Sequence, residues 1–384
     1  MRLEVISDLQ ALSRVRPRWD AVYDADPEAH FFLSWRWMAK RLEGMGASWF
    51  VLAAKTEADP PDYVAFFPLR ARRAAPRNDA PIEVATAGSP AADYTGLLCM
   101  PRHQAQAIPL FARYVREFRK RIRWTTLRLD QVRMSEERLR LFLAYYRGED
   151  YELLRESGIN GDGIDNAVCP RVDLPGSWDA YLSERVGANT RQKLRRFLRR
   201  VETSPEFELA ETTAETVGED LRSLLRLWEG QWADRKRGVL DRIRQQSLAM
   251  LTDCFDAGSL FLPVLRRNGS VVAALAIFTD QSKKSYLFYM GGRDETVGGL
   301  SPGLVLHAFA IRHAISRGFR TYDFLRGDEP YKFSLGGRKD FIQTIVVRAK
   351  TDAGRDEAPG RAGASAPPPP ALPSGQTGGP ASQG

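Results

Sequence analysis

The chain has 384 residues, 43% hydrophobic and 27% charged, enough to bury a core without disulfide or metal staples and to form more than one domain. Lys and Arg number 56 against 48 Asp and Glu, a net +8, which permits an anionic ligand without demanding a nucleic acid. Cys99, Cys169 and Cys254 form no CxxC pair, and His30, His103, His307 and His313 form no HxxxH pair; a disulfide scaffold and a zinc site are both disfavoured. Glu4 and Asp8 interrupt any apolar run at the N-terminus, and no stretch of eighteen apolar residues occurs. The expectation is a soluble, cytoplasmic protein without signal peptide or membrane span.

In chain order, helical patterns are predicted at 17–23 and 35–42. Strands follow over 49–55 and 63–73, joined by the turn-rich Asp59-Pro60-Pro61-Asp62. An extended segment at 82–87, the GSPAADYTGLL run at 88–98, a helix over 105–121 and a strand at 124–130 complete this half. Gly158–Gly163, rich in Gly, Asp and Asn, reads as a linker, giving domains of 1–165 and 166–350. The second half opens with helices at 177–202, 219–235 and 241–257. Strands at 260–267 and 270–278 flank Asn268-Gly269, a strong hairpin signal because both residues tolerate positive φ. A third strand is predicted at 285–292, a glycine-rich loop at 291–301, a helix at 302–317, and strands at 321–325 and 341–349. Residues 351–384 hold seven Pro and seven Gly and no aromatic residue, a composition expected of a disordered tail.

The helix at 302–317 is punctuated at both ends: Ser301 at the N-cap, Pro302 where a missing N–H costs nothing, Gly318 past the C-terminus. Strand, loop, helix and strand make a crossover unit and imply a parallel pair. Clefts in such units lie at the carboxyl ends of the strands beside the helix N-terminus. There, first-turn N–H groups and small residues (Gly299, Ser301, Gly303, then Leu304) suit an anionic group such as a pyrophosphate, although glycines required only for turns fit the loop equally well. Six of the ten residues 191–200 are basic, while Leu194, Phe197, Leu198 and Val201 keep helical spacing. Arg191 and Arg195 are thus candidates for phosphate contact on a basic amphipathic helix whose other reading is a solvated face. Finally, YDFLRGDEPYKFSLGG at 322–337 concentrates charge after a buried strand. Asp323 and Glu329 are candidate bases or orienting carboxylates, Tyr331 a candidate acid, Arg326 and Lys332 candidate anion or oxyanion partners; ion pairs pinning the turn explain the same charges. His307 reads as packed, His313 as solvent-facing.

The stretch from Tyr286 to Gly336, with SPG at a helix start and DFxRGDxxYK at 323–332, resembles the CelD-type acetyltransferases of the GNAT superfamily, associated with cellulose and other exopolysaccharide synthesis. The RQKLRR helix, FFLSWRWM (31–38) and AADYTGLL (91–98) are similar to that family too. The resemblance implies an α/β fold of tandem GNAT-like domains, with mixed, mainly antiparallel sheets flanked by helices, as also in Fem-type aminoacyl transferases. It implies acyl transfer from acetyl-CoA or another acyl-CoA to an amine or hydroxyl of a small molecule or saccharide, with no metal and no DNA partner. GGLSPG at 298–303 departs from the usual GNAT Q/R-x-x-G-x-G/A loop. Two alternatives therefore stand beside it: a Fem-like transferase using aminoacyl-tRNA, and a catalytically inactive GNAT-fold module of a polysaccharide synthase complex.

Overall fold

A computed structural model describes residues 1–73, 80–232 and 240–350; the segment 351–384 expected as a tail lies outside them. Two units result, Met1–Gly158 with the chain from Ile342 onward, and Ile159–Phe341.

The first unit is built on strands β1 (Arg2–Ile6), β2 (Trp49–Lys55), β3 (Tyr63–Arg73), β4 (Ile82–Thr86), the short β5 (Leu98–Cys99), β6 (Trp124–Val132) and β7 (Tyr151–Glu156). Their neighbours are antiparallel except β4 and β6, which the helix Gln104–Ile122 connects as a parallel pair. Leu12, Trp19, Val51, Ala53 and Phe66 pack one cluster; Leu52, Phe67, Phe111, Val115, Trp124 and Leu127 pack another. This division follows the alternation of successive strand residues between faces.

The second unit carries β8 (Arg171–Asp173), β9 (Phe207–Glu211), β10 (Leu260–Phe261), β11 (Pro263–Arg267), β12 (Ser270–Asp280), β13 (Ser285–Arg293) and β14 (Thr321–Asp323) in the order β8-β14-β13-β12-β11-β9, with β10 against β12. Asn268 (φ 50°) and Gly269 (φ 80°) form the expected tight turn between β11 and β12. The helix Pro302–Ser316 joins β13 to β14 in parallel. It ends with Gly318 at φ 73° and the Phe319 N–H donating to Ala314 O (3.0 Å), closing the last turn. At its start Ser301 has extended backbone but makes no capping bond.

The predicted helix at 177–202 is two helices, Trp178–Glu184 and Ala188–Thr203. Tyr181, Leu194, Leu198 and Val201 join Val305, Ala308, Ile311, Leu275, Ile277, Tyr286 and Tyr322 in one core. Helix Val217–Trp232 packs on β12 and β13 so closely that a Cβ on Gly292 would lie 2.6 Å from Leu224 O.

Two boundaries differ from expectation. The last strand, β15 (Gln343–Ala349), does not close the second domain; it lies in the first unit's sheet between β6 and β7, with Ile345 opposite Leu129 on one side and Arg155 on the other. Residues 159–165 belong to the second unit, where Asp165 N–H donates to Asp328 Oδ1 (2.9 Å). Alternation identifies a strand but carries no address for its partner. β1 carries no clear alternation in sequence, its three central residues being neither buried nor exposed.

Removing residues 342–384 takes β15 from between β6 and β7 and leaves both facing edges unpaired. Such a truncation is expected to aggregate or to melt well below the full chain. A soluble monomer with the full-length Tm would overturn the assignment of β15.

Candidate functional site

The second unit's parallel pair is short. β14 faces β13 only at Ser285–Leu287, while β13 runs on to Arg293 against β12. Beyond Leu287 that edge of β13 faces no strand among the described residues. A register shift beside Ile277 leaves Tyr289 without an opposite residue on β12, a bulge that re-aims this part of the strand. The opening leads to the start of helix Pro302–Ser316. Its first intrahelical bond is Val305 N–H to Ser301 O (3.1 Å), so the N–H groups of Gly303 and Leu304 precede the helical ladder and present the positive end of the helix.

Gly298 and Gly299 are exposed and Ser301, Gly303 and Leu304 half-buried, so all the loop residues predicted for phosphate contact lie in one stretch at the helix start. Gly299 takes φ 66°, which favours glycine. Gly303 lies beside Arg293: a Cβ there would be 3.7 Å from Arg293 Cδ. The basic helix Ala188–Thr203 packs against helix Pro302–Ser316. Its contact with the loop comes from Arg200, whose Nη1 donates to Gly299 O (3.0 Å). Arg191 is half-buried and Arg195 exposed, and no contact of either with the loop is among the described interactions. Sequence spacing marked the helix as basic but did not single out Arg200.

The run after β14 folds over the same end. Asp323 is buried, and its Oδ1 accepts the N–H of Leu325 (2.8 Å), holding that residue at φ 55°. Lys332 is only 2% exposed, and its ammonium donates to Arg326 O (2.6 Å) and Gly327 O (3.1 Å) and pairs with Glu329 (2.9 Å). Lys332 thus sits buried under the turn in the ion pair with Glu329 that was expected as the alternative to an oxyanion role. Arg326, half-buried, gives the turn its carbonyl.

Tyr331 stands differently. Its ring lies 5.4 Å from His307 and 6.4 Å from Phe324. Burial, with the Glu329 carboxylate adding to it, pushes its phenol well above the ordinary value. His307 is packed, as expected, among Phe288, Tyr322, Phe324 and Tyr331, and its Nδ1 shares a 2.9 Å hydrogen bond with the Tyr322 hydroxyl. Burial, then the nearby Lys332 and Arg293, lower the His307 imidazole to about 3, so the ring is neutral at physiological pH. His313 is not solvent-facing: it stacks on Phe261 (4.4 Å, 5°) and shares a 3.0 Å hydrogen bond with Tyr286.

The first unit's equivalent opening is filled. Past the pairing of Ile82–Ala85 with β6, Thr95 bridges Val132 in parallel, with Thr95 N–H donating to Gln131 O and Arg133 N–H to Thr95 O, both 3.0 Å. The Thr95 hydroxyl also donates to Thr86 Oγ1 (3.1 Å) and Asp130 N–H donates to that same oxygen (3.2 Å). Nearby, Arg138 makes a bidentate pair with Asp26 at 2.9 and 2.8 Å, and Cys99 N–H donates to Asp26 Oδ2 (2.8 Å).

Among the described residues no cluster of three or more His, Cys, Asp or Glu could hold a metal, and no helix is long and apolar enough to cross a membrane.

Residues 188–333 match the model of the acetyltransferase (GNAT) domain. No curated protein sequence matches the chain. Among solved structures, FemX superposes with TM-score 0.62 at 9% identity, covering 90% of this chain and 97% of its own. A conserved protein of unknown function from Bacteroides thetaiotaomicron VPI-5482 follows at 0.52, 13% identity, 87% and 97% coverage. A tandem GNAT protein from the clavulanic acid biosynthesis pathway gives 0.48 at 13% identity, with 93% and 100% coverage.

His30 and His307 supply a test of burial in both units. Each is pushed down to about 3 by desolvation, from 6.5. As pH falls through that interval the unfolded chain binds protons that the folded chain refuses, so stability falls with it. His307→Gln should lose less Tm than the wild type between pH 7.5 and 5; equal losses would show that His307 is not held neutral. The fold is the tandem GNAT-like one: two mainly antiparallel sheets flanked by helices, with the acetyltransferase-domain match lying within the second unit.

Proposed function

We propose that the second unit is an acyltransferase that uses an acyl-CoA, with acetyl-CoA the first donor to try, and an amine or hydroxyl as acceptor. The observation carrying this reading is the coincidence, within residues 188–333, of a parted parallel strand pair and a glycine-rich helix start. The donor pyrophosphate would lie at Gly299, Ser301, Gly303 and Leu304, on the first-turn N–H groups that precede the helical ladder and on the positive helix end. The open edge of β13 would hold the donor's extended arm by backbone hydrogen bonds, as an added strand does.

The acceptor attacks the thioester carbonyl, forming a C–N or C–O bond as the C–S bond breaks; the departing thiolate takes a proton, and the proton lost by the acceptor nitrogen or oxygen returns, directly or through water, to the group that supplied it. Tyr331 is the residue we assign to that proton: its ring lies 5.4 Å from His307 on the helix Pro302–Ser316, and a phenol is protonated at neutral pH. Asp323, Glu329, Lys332 and Arg326 act here by holding the turn that carries Tyr331. The acceptor class we infer, a saccharide or other envelope precursor, rests on the resemblance of 286–336 to the CelD-type proteins.

A second reading has its own support. FemX matches over 90% of the chain, and a Fem-like transferase would draw its acyl group from an aminoacyl-tRNA. Isothermal titration separates the two: the first reading expects CoA and acetyl-CoA to bind at one site per chain, since the first unit's opening is filled by Thr95 and Thr86. No CoA binding together with binding of a charged tRNA would establish the alternative. Tyr331→Phe should lower kcat by about a hundredfold or more at unchanged Tm and donor affinity. Full activity in that variant would remove Tyr331 from the chemistry.

A further inference from the structure

The basic helix and the glycine-rich loop meet at one side chain. Arg200 lies 99 positions before Gly299 in sequence, yet its Nη1 donates to Gly299 O at 3.0 Å, and a Cβ on Gly299 would sit 2.8 Å from that same nitrogen. Glycine is favoured at 299 by φ 66°, and a Cβ there would displace the guanidinium lying against it. Arg200 also borders the Phe207 ring (5.9 Å).

Its charge is only weakly matched. The nearest carboxylate, Glu206, is 3.9 Å from Arg200 Nη2 but 3.1 Å from Arg267 Nη2, and Arg267 Nε donates to it as well (3.2 Å). Glu206 is chiefly Arg267's partner. The Arg200 side chain stays 42% exposed, so an arginine with one N–H on the loop backbone keeps cationic charge and further donors at the mouth of the helix start.

We propose that Arg200 is the positioning residue of the donor-phosphate loop: its bond to Gly299 O fixes the backbone on which the helix-start N–H groups are aimed, and its charge complements the bound diphosphate. The inference rests on the acyl-CoA reading above and adds to it a residue on a different element. A guanidinium suits the task because one planar group can hold a carbonyl and face a phosphate together, which an ammonium on a flexible stem does less well.

The test compares CoA with pantetheine, which lacks the diphosphate. Arg200→Gln is expected to weaken CoA binding about tenfold and raise the acetyl-CoA KM similarly, with kcat little changed and pantetheine affinity unchanged. Arg200→Lys should fall between. Gly299→Ala, which pushes the guanidinium off the loop while keeping its charge, should reproduce much of the loss. Arg199→Gln, an exposed neighbour on the same helix, should bind CoA as the wild type does. Equal CoA affinity in wild type and R200Q, or equal losses for CoA and pantetheine, overturns the inference alone. A wild type that binds no CoA overturns the donor reading itself, and this inference with it.

Discussion

Everything proposed for the second unit depends on the parallel pairing of β13 with β14 being short. A crossover helix must return the chain beside its starting strand in the same direction, and here the returning strand is only Thr321–Asp323. Three residue pairs align the strands; the turn after Asp323 then carries the chain away. The opening and the helix start are thus products of one topological step. The first unit repeats the step but extends it with Thr95, and the same architecture there is closed by two hydroxyls and a strip of backbone bonds.

Both units use a buried cation to hold irregular chain. In the second, Lys332 gathers two carbonyls and a carboxylate beneath the turn that carries Tyr331. In the first, Arg138, 1% exposed, joins Asp26, 0% exposed, and the carbonyl of Cys99. Such groups are costly to desolvate and hold only when nearly every donor finds an acceptor. Removing one partner leaves an uncompensated charge, a loss of about 3–5 kcal/mol.

What could be read in advance was local. Asn268-Gly269 and the Pro302 to Gly318 punctuation act through the backbone of a few consecutive residues, and both lie where expected. The strand at 343–349 was legible as a strand, but its partners β6 and β7 were not, because pairing is decided by tertiary packing. The Glu329–Lys332 pair was legible from spacing as one of two readings, but nothing in the string DEPYK shows that two backbone carbonyls also close on the ammonium. The bond from Arg200 to Gly299 lies beyond any reading of spacing, since it depends on two helices crossing. His313 shows the same limit: an aromatic neighbour on β10, Phe261, makes a surface position half-buried.

The placement of β15 bears on how the protein comes into being on the ribosome. β6 is made about 200 residues before its partner, which at roughly 5–20 residues per second is an interval of tens of seconds. Throughout that time β6 and β7 expose edges that other nascent strands could join. The first unit's sheet is therefore begun early in synthesis and completed only when β15 emerges.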